Sequence, residues 1–170
     1  MQTSRFEVLV MQHAAELKKR YAEDGSDWIA RRLWWQQRIV ELLDTMQHWL
    51  SKLIQNHTVT LSRSIAIIAD DELGSYEVQA GEINLAQEQL KICPVSAFVI
   101  GGYGRVDVDG PRGKAMLLLC ATDESVREET RLKSAEWMLA NPKQHQQLVP
   151  LTQGTFEQMF VDLFGINEGG

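Results

Sequence analysis

Gly101-Gly102-Tyr103-Gly104-Arg105-Val106-Asp107 places three glycines in four residues beside a cation and a carboxylate. Glycine-rich backbone can wrap a phosphate, because it allows close approach and exposes N–H groups. The GGxG spacing, however, is neither a Walker loop nor the dinucleotide fingerprint. Strand-like sequence follows it, where both of those motifs need a helix. The expectation is a bulge or bend in a strand, with Arg105 and Asp107 paired on one solvent face. A ligand or partner loop formed by Gly101, Gly102, Gly104, Arg105 and Asp107 is the alternative.

A second group lies in Arg31-Arg32-Leu33-Trp34-Trp35-Gln36-Gln37-Arg38. Four of the five tryptophans fall between residues 28 and 49. Trp and Arg are the side chains that most often anchor protein interfaces. Arg31, Arg32, Trp34, Trp35 and Arg38 are therefore the candidate partner-binding residues. At 100° per residue, Trp28, Trp35 and Trp49 share one helical stripe, whereas Trp34 projects toward the polar side. The cations scatter over several faces and residues 1–57 carry a net charge of only +1. Nucleic acid is thus not expected as the main partner.

Other chemistry finds little support. His13, His48, His57 and His145 form no ligand pattern, and His13 on an apolar stripe reads as a satisfied core histidine. There is no GxSxG elbow and no catalytic-cysteine signature. Glu16-Leu17-Lys18 is the only acidic-x-Lys triplet, and it sits in a helix rather than after a strand. Asp70, Asp71, Glu72, Asp107 and Asp109 read as solvated turn carboxylates. No catalytic residue, metal or cofactor is assigned. Cys93 and Cys120 are too few for a disulfide framework and read as reduced, strand-buried thiols.

The elements that would position these residues change in period along the chain. Residues 4–23 read as a helix with Phe6, Val10, Leu17 and Tyr21 on one stripe. Glu23-Asp24-Gly25-Ser26 reads as a turn. A second helix, from about 28 to 56, carries Trp28, Trp35, Ile39, Leu42, Met46, Trp49 and Leu53 beside Ile29, Leu33, Val40, Leu43, Leu50 and Ile54. Together they cover roughly 200°, about twice the arc one contact needs. The pair would form an antiparallel hairpin with apolar surface to spare. From Thr58 to Ala121 the period falls to two, with turns at 70–74 and 109–113. Residues 125–140 are ambiguous, since 135–140 could be helix or a strand pairing with 115–120. Thr152 to Phe164 reads as a capped helix ended by Gly165.

The expected fold is therefore α+β. An N-terminal antiparallel helical hairpin (1–57) precedes a β-rich part (58–170), which is an antiparallel sheet or small barrel or sandwich with a C-terminal helix. The 170 residues carry 44% hydrophobic and 24% charged side chains and a net charge of −6. That is ordinary globular composition, and the negative balance argues against a protein that coats nucleic acid. The N-terminus has no basic region followed by an apolar run, and no stretch is long enough to span a bilayer, so a cytoplasmic protein with no membrane contact is expected. The functional expectation is a non-enzymatic interaction or assembly module, an accessory subunit of a bacterial complex or a homo-oligomer joined through its N-terminal helices. A regulatory, ligand-sensing domain using 101–107 is the alternative, with a nucleic-acid-associated enzyme more distant.

Overall fold

The computed structural model describes residues 4–70, 73–98, 102–121, 132–141 and 147–167, with 17–27 described as backbone only. Helix α1 runs from Arg5 to Trp49 and a short helix α2 from Ser51 to Gln55. Seven strands follow: β1 Val59–Asp70, β2 Gly74–Leu85, β3 Glu88–Ser96, β4 Arg105–Gly110, β5 Gly113–Cys120, β6 Glu136–Ala140 and β7 Val149–Pro150. Helix α3, Gln153–Phe164, closes the described chain. The strands form one antiparallel sheet in sequence order, β1-β2-β3-β4-β5-β6-β7. The sheet is an open meander, neither a closed barrel nor a sandwich. The stretch left ambiguous at 135–140 is strand β6, paired with β5 from Met116↔Ala140 to Cys120↔Glu136. Residues 125–131, the first part of that ambiguous stretch, lie outside the described residues.

The N-terminal hairpin is not what the chain forms here. Its expected turn at 23–26 is helical, so α1 is one helix of 45 residues, roughly 67 Å long at 1.5 Å per residue. The physical reason is the absence of a true breaker. No proline occurs before Pro94, and one glycine inside a helix costs only about 1 kcal/mol. Once the docked C-terminal half supplies the nucleus, extension needs no new one.

That docked half explains part of the wide apolar arc. Trp35, Ile39, Leu42, Leu43, Met46 and Leu50 are buried against the inner face of the sheet. They share one core with Leu90 and Ile92 of β3, Val106 and Val108 of β4, Leu117 and Leu119 of β5, and Leu139 of β6. Helix α3 adds Phe156, Met159, Phe160 and Leu163 to the same core, with Phe156 against Trp49 at 5.3 Å between ring centroids. Its capping is as the sequence implies. Thr152 and Thr155 form a capping box, and Gly165 takes a left-handed φ of 71°. Burial of each large side chain stabilises by about 1.5–3 kcal/mol.

The β1–β2 hairpin is unusual in length, with 12 residues in each strand paired without a register shift. Only Gly81–Leu85 of β2 also pair with β3. Beyond that point the ribbon has two strands, where twist is largest. Its buried positions change parity accordingly. Near the sheet, Val59 and Ile83 face inward; at the far end, Ile68, Tyr76 and Val78 do. Ile65 and Ile67, which alternation alone would continue on the inner face, are turned outward. Polar groups of α1 fasten this ribbon. Gln36 donates to the Glu77 carbonyl at 2.7 Å, while Arg63 donates to Asp44 at 2.6 Å and to Gln47 at 2.9 Å.

Candidate functional site

Arg31 occupies the junction of α1, the end of β3 and the approach to β4. It is buried, and its Nη2 donates to the carbonyls of Ala97 and Tyr103, both at 3.0 Å. The guanidinium carbon lies 5.0 Å from the Trp34 ring centroid and 5.1 Å from those of Phe98 and Tyr103. Three ring faces and two carbonyls thus surround one cation. Each ring contact is worth about 0.5–2 kcal/mol, more when water is excluded. Trp28, one turn earlier on α1, packs edge-on against Phe98 at 5.7 Å.

A carboxylate completes the junction. Asp70, at the end of β1, is buried and accepts from the Tyr76 hydroxyl, the Ser96 hydroxyl and the Ala97 N–H. The residue that gives its N–H to Asp70 therefore gives its carbonyl to Arg31. Burial, and then the neighbouring Asp70 carboxylate, push the Tyr76 phenol well above its ordinary pKa; the Arg31 cation opposes the rise. The Trp35 indole N–H lies beside the same hydroxyl without reaching hydrogen-bond geometry. Chemically this is a clamp. Asp70 has its oxygens filled, and the Ser96 hydroxyl also accepts the Phe98 N–H at 3.0 Å.

The candidate partner-binding residues divide. Arg31 and Trp35 are inside, with Trp35 fully buried and its ring 6.1 Å from that of Trp137. Trp34 is half-buried and packs on the core while facing Arg31. Arg38 is half-buried, donating to the Ala135 carbonyl at 2.8 Å and lying 3.8 Å from Glu41. Arg32 is half-buried as well. The glycine segment folds under α1. Tyr103 and Gly104 bond to Leu119 of β5, and a Cβ on Gly104 would stand 2.2 Å from the Trp35 ring. Arg105 and Asp107 form a two-bond ion pair at 2.8 and 3.2 Å on the outer face of β4. Gly102 is half-buried, and Gly101 lies outside the described residues.

Asp109 faces Lys114 at 3.4 Å, while Asp71, Glu72 and His145 lie outside the described residues. His13, expected in a core, is exposed, as are His48 and His57. Among the described residues no three His, Cys, Asp or Glu side chains converge on a metal position. No described helix is long and apolar enough to cross a membrane. A cleft of about 410 Å³ opens between α1 and the β6–β7 edge, lined by residues including Arg38, Glu41, Trp49, Trp137 and Leu151.

Exposed apolar side chains gather on α1. Every described side chain from Ser4 to Glu16 is exposed, including Phe6, Leu9, Val10 and Met11. Ile29 and Leu33 extend exposed apolar surface into the docked half. Periodicity identified the stripe through Phe6 and Val10. The Asp70–Tyr76–Ser96 cluster had no sequence signal, because its members come from three strands. No family model, curated protein or solved structure matches this chain.

Proposed function

We propose that this chain is a non-enzymatic assembly module that self-associates through the N-terminal arm of α1. The carrying observation is that Phe6, Leu9 and Val10 are 74%, 55% and 51% exposed on one stripe of that arm. Most helical stability in proteins comes from packing of an apolar face, and these side chains would favour burial by about 1.5–3 kcal/mol each. Pairing the arm with that of a second copy covers the stripe. The antiparallel helix pair expected within one chain is then made between two. Cys93 and Cys120 are free thiols, which suits a reducing, cytoplasmic setting. The same assembly can serve as an accessory part of a larger complex.

Phe6→Glu with Val10→Glu tests this without touching the core. The wild type should show a concentration-dependent mass in sedimentation and a far-ultraviolet helix signal that weakens on dilution. The substituted chain should have a lower mass and a weaker helix signal at every concentration. A mass and helix signal unaffected by the two substitutions overturn the reading.

A further inference from the structure

The β1–β2 ribbon leaves the sheet at Gly81, the outermost residue of β2 that pairs with β3, opposite Ile92. A Cβ on Gly81 would lie 2.7 Å from Leu43 Cδ2 and 3.3 Å from Ile92 Cδ1, so α1 and β3 clasp the ribbon tightly there. Past this point β3 runs into Pro94, which has no N–H to offer, and a register shift between Pro94 and Ser96. Pairing on that side of β2 stops, and residues 64–70 and 74–80 continue as a ladder of two strands. The far end is tied back by side chains. Asp70 accepts from the Ser96 hydroxyl and the Ala97 N–H, and from Tyr76 within the ribbon. Tyr76 stands about 17 Å from Gly81 at 3.4 Å per residue. Between the two points Gln36 donates to the Glu77 carbonyl.

We infer that this end of the ribbon is a flap, with Gly81 as its fulcrum and Asp70 as its latch, and that it opens as one unit when the latch is released. The ladder from Ser64↔Ala80 to Asp70↔Gly74 has no register shift, so the two strands move together. Ile68, Tyr76 and Val78, with Leu73 at the tip, hold the flap to the core, while Ser64, Ile65, Ile67, Ala69, Ser75 and Glu77 face water. Segments with few buried contacts and solvent-facing backbone bonds open more readily than the core. The latch adds what those contacts lack. Closed, a buried carboxylate takes three donors, and losing one of them is costly because a charge is involved. Open, water satisfies every group. The latch also reaches α1. Ala97 gives its N–H to Asp70 and its carbonyl to Arg31, so one peptide unit joins flap to helix, and bonds that share a peptide strengthen each other. Opening lifts the Tyr76 hydroxyl from beside the buried Trp35 indole.

Asp70→Asn changes the latch with little change of shape. The amide keeps one acceptor oxygen and brings donors of its own to a place where three donors already converge. In hydrogen exchange of the full-length chain, the ladder-bonded amides of 64–70 and 74–80 should speed up together by about ten- to a hundredfold, the loss of one hydrogen bond to a charged group. Those of β4 and β5 should keep their wild-type rates. Tyr76→Phe retains the ring and removes one donor, so it should speed the same set of amides to a smaller extent. If Asp70→Asn does not fold, Tyr76→Phe carries the same comparison. Arg31→Lys should cost less stability on the Asp70→Asn background than on the wild type, because the two share the Ala97 peptide. Equal acceleration in β4 and β5 would mean that Asp70 supports the whole fold rather than a flap. No acceleration in 64–70 and 74–80, or rates that change residue by residue, would mean that no unit opens there. Either result overturns the inference.

Discussion

Gly104 shows how one residue's identity is set by another far away in sequence. The segment 101–107 reads as a bend because of its glycines, and the ion pair of Arg105 and Asp107 on the outer face agrees with that reading. Nothing local shows that the Trp35 indole lies over Gly104, with ring atoms 2.2 and 2.7 Å from where a Cβ would be. Trp35 is fully buried, so it has little room to yield. Gly104→Ala is expected to lower stability by about 1–3 kcal/mol through overpacking, measured by urea unfolding. On a Trp35→Leu background the same substitution should cost much less, since the two residues share one volume. Equal losses on both backgrounds would show that the contact does not set the glycine. Arg31 carries a similar lesson. Its neighbourhood in sequence suggested an external anchor, yet its Nη2 donates to the Ala97 and Tyr103 carbonyls and its guanidinium faces three rings.

Among the elements, α3 was legible in detail, and its docking was not. The capping residues and the apolar stripe of Phe156, Met159, Phe160 and Leu163 are local patterns. They bury in the common core against α1 and strands β3 to β5, and the C-terminal end of α3 reaches the β4–β5 turn, where the Arg112 N–H donates to the Leu163 carbonyl at 2.9 Å. A Cβ on Gly110 would lie 2.6 Å from Leu163 Cβ and 2.7 Å from its carbonyl oxygen. Backbone cannot swing aside as a flexible side chain does. Gly110→Ala should therefore loosen α3 selectively, with faster hydrogen exchange at its amides than in β3 and β4. Uniform exchange across all elements would argue against that coupling. Helix α1 is the opposite case. Gly25 was a reasonable stop signal, but without proline its cost is too small to break a helix that is anchored at one end. The ribbon of β1 and β2 keeps the period of two read from the sequence, with Ile65 and Ile67 turned outward where only two strands pair and twist is largest.

For the whole molecule, the proposed pairing of the α1 arm with that of a second copy sets the expected mass. The wild type should then show dimer in light scattering at high concentration, and Phe6→Glu with Val10→Glu should leave 19.3 kDa. A wild type that stays at the monomer mass at every concentration would overturn the arm contact. The apolar surplus of α1 is divided accordingly. Its C-terminal half is absorbed by the sheet and α3, while the described side chains up to Glu16 stay exposed.

By itself the sequence determined the local order: helical then strand periodicity, the turns at 70–74 and 109–113, the caps of α3, and the stripe through Phe6 and Val10. These depend on spacing of three or four residues in helices and two in strands, which a linear chain displays directly. Only the tertiary structure decided that α1 is continuous, that Trp35 is core, and that Arg31 and Asp70 hold three elements together. Each of those depends on which surfaces meet across large separations in the chain. Such meetings are set by the competition for burial among all the elements at once.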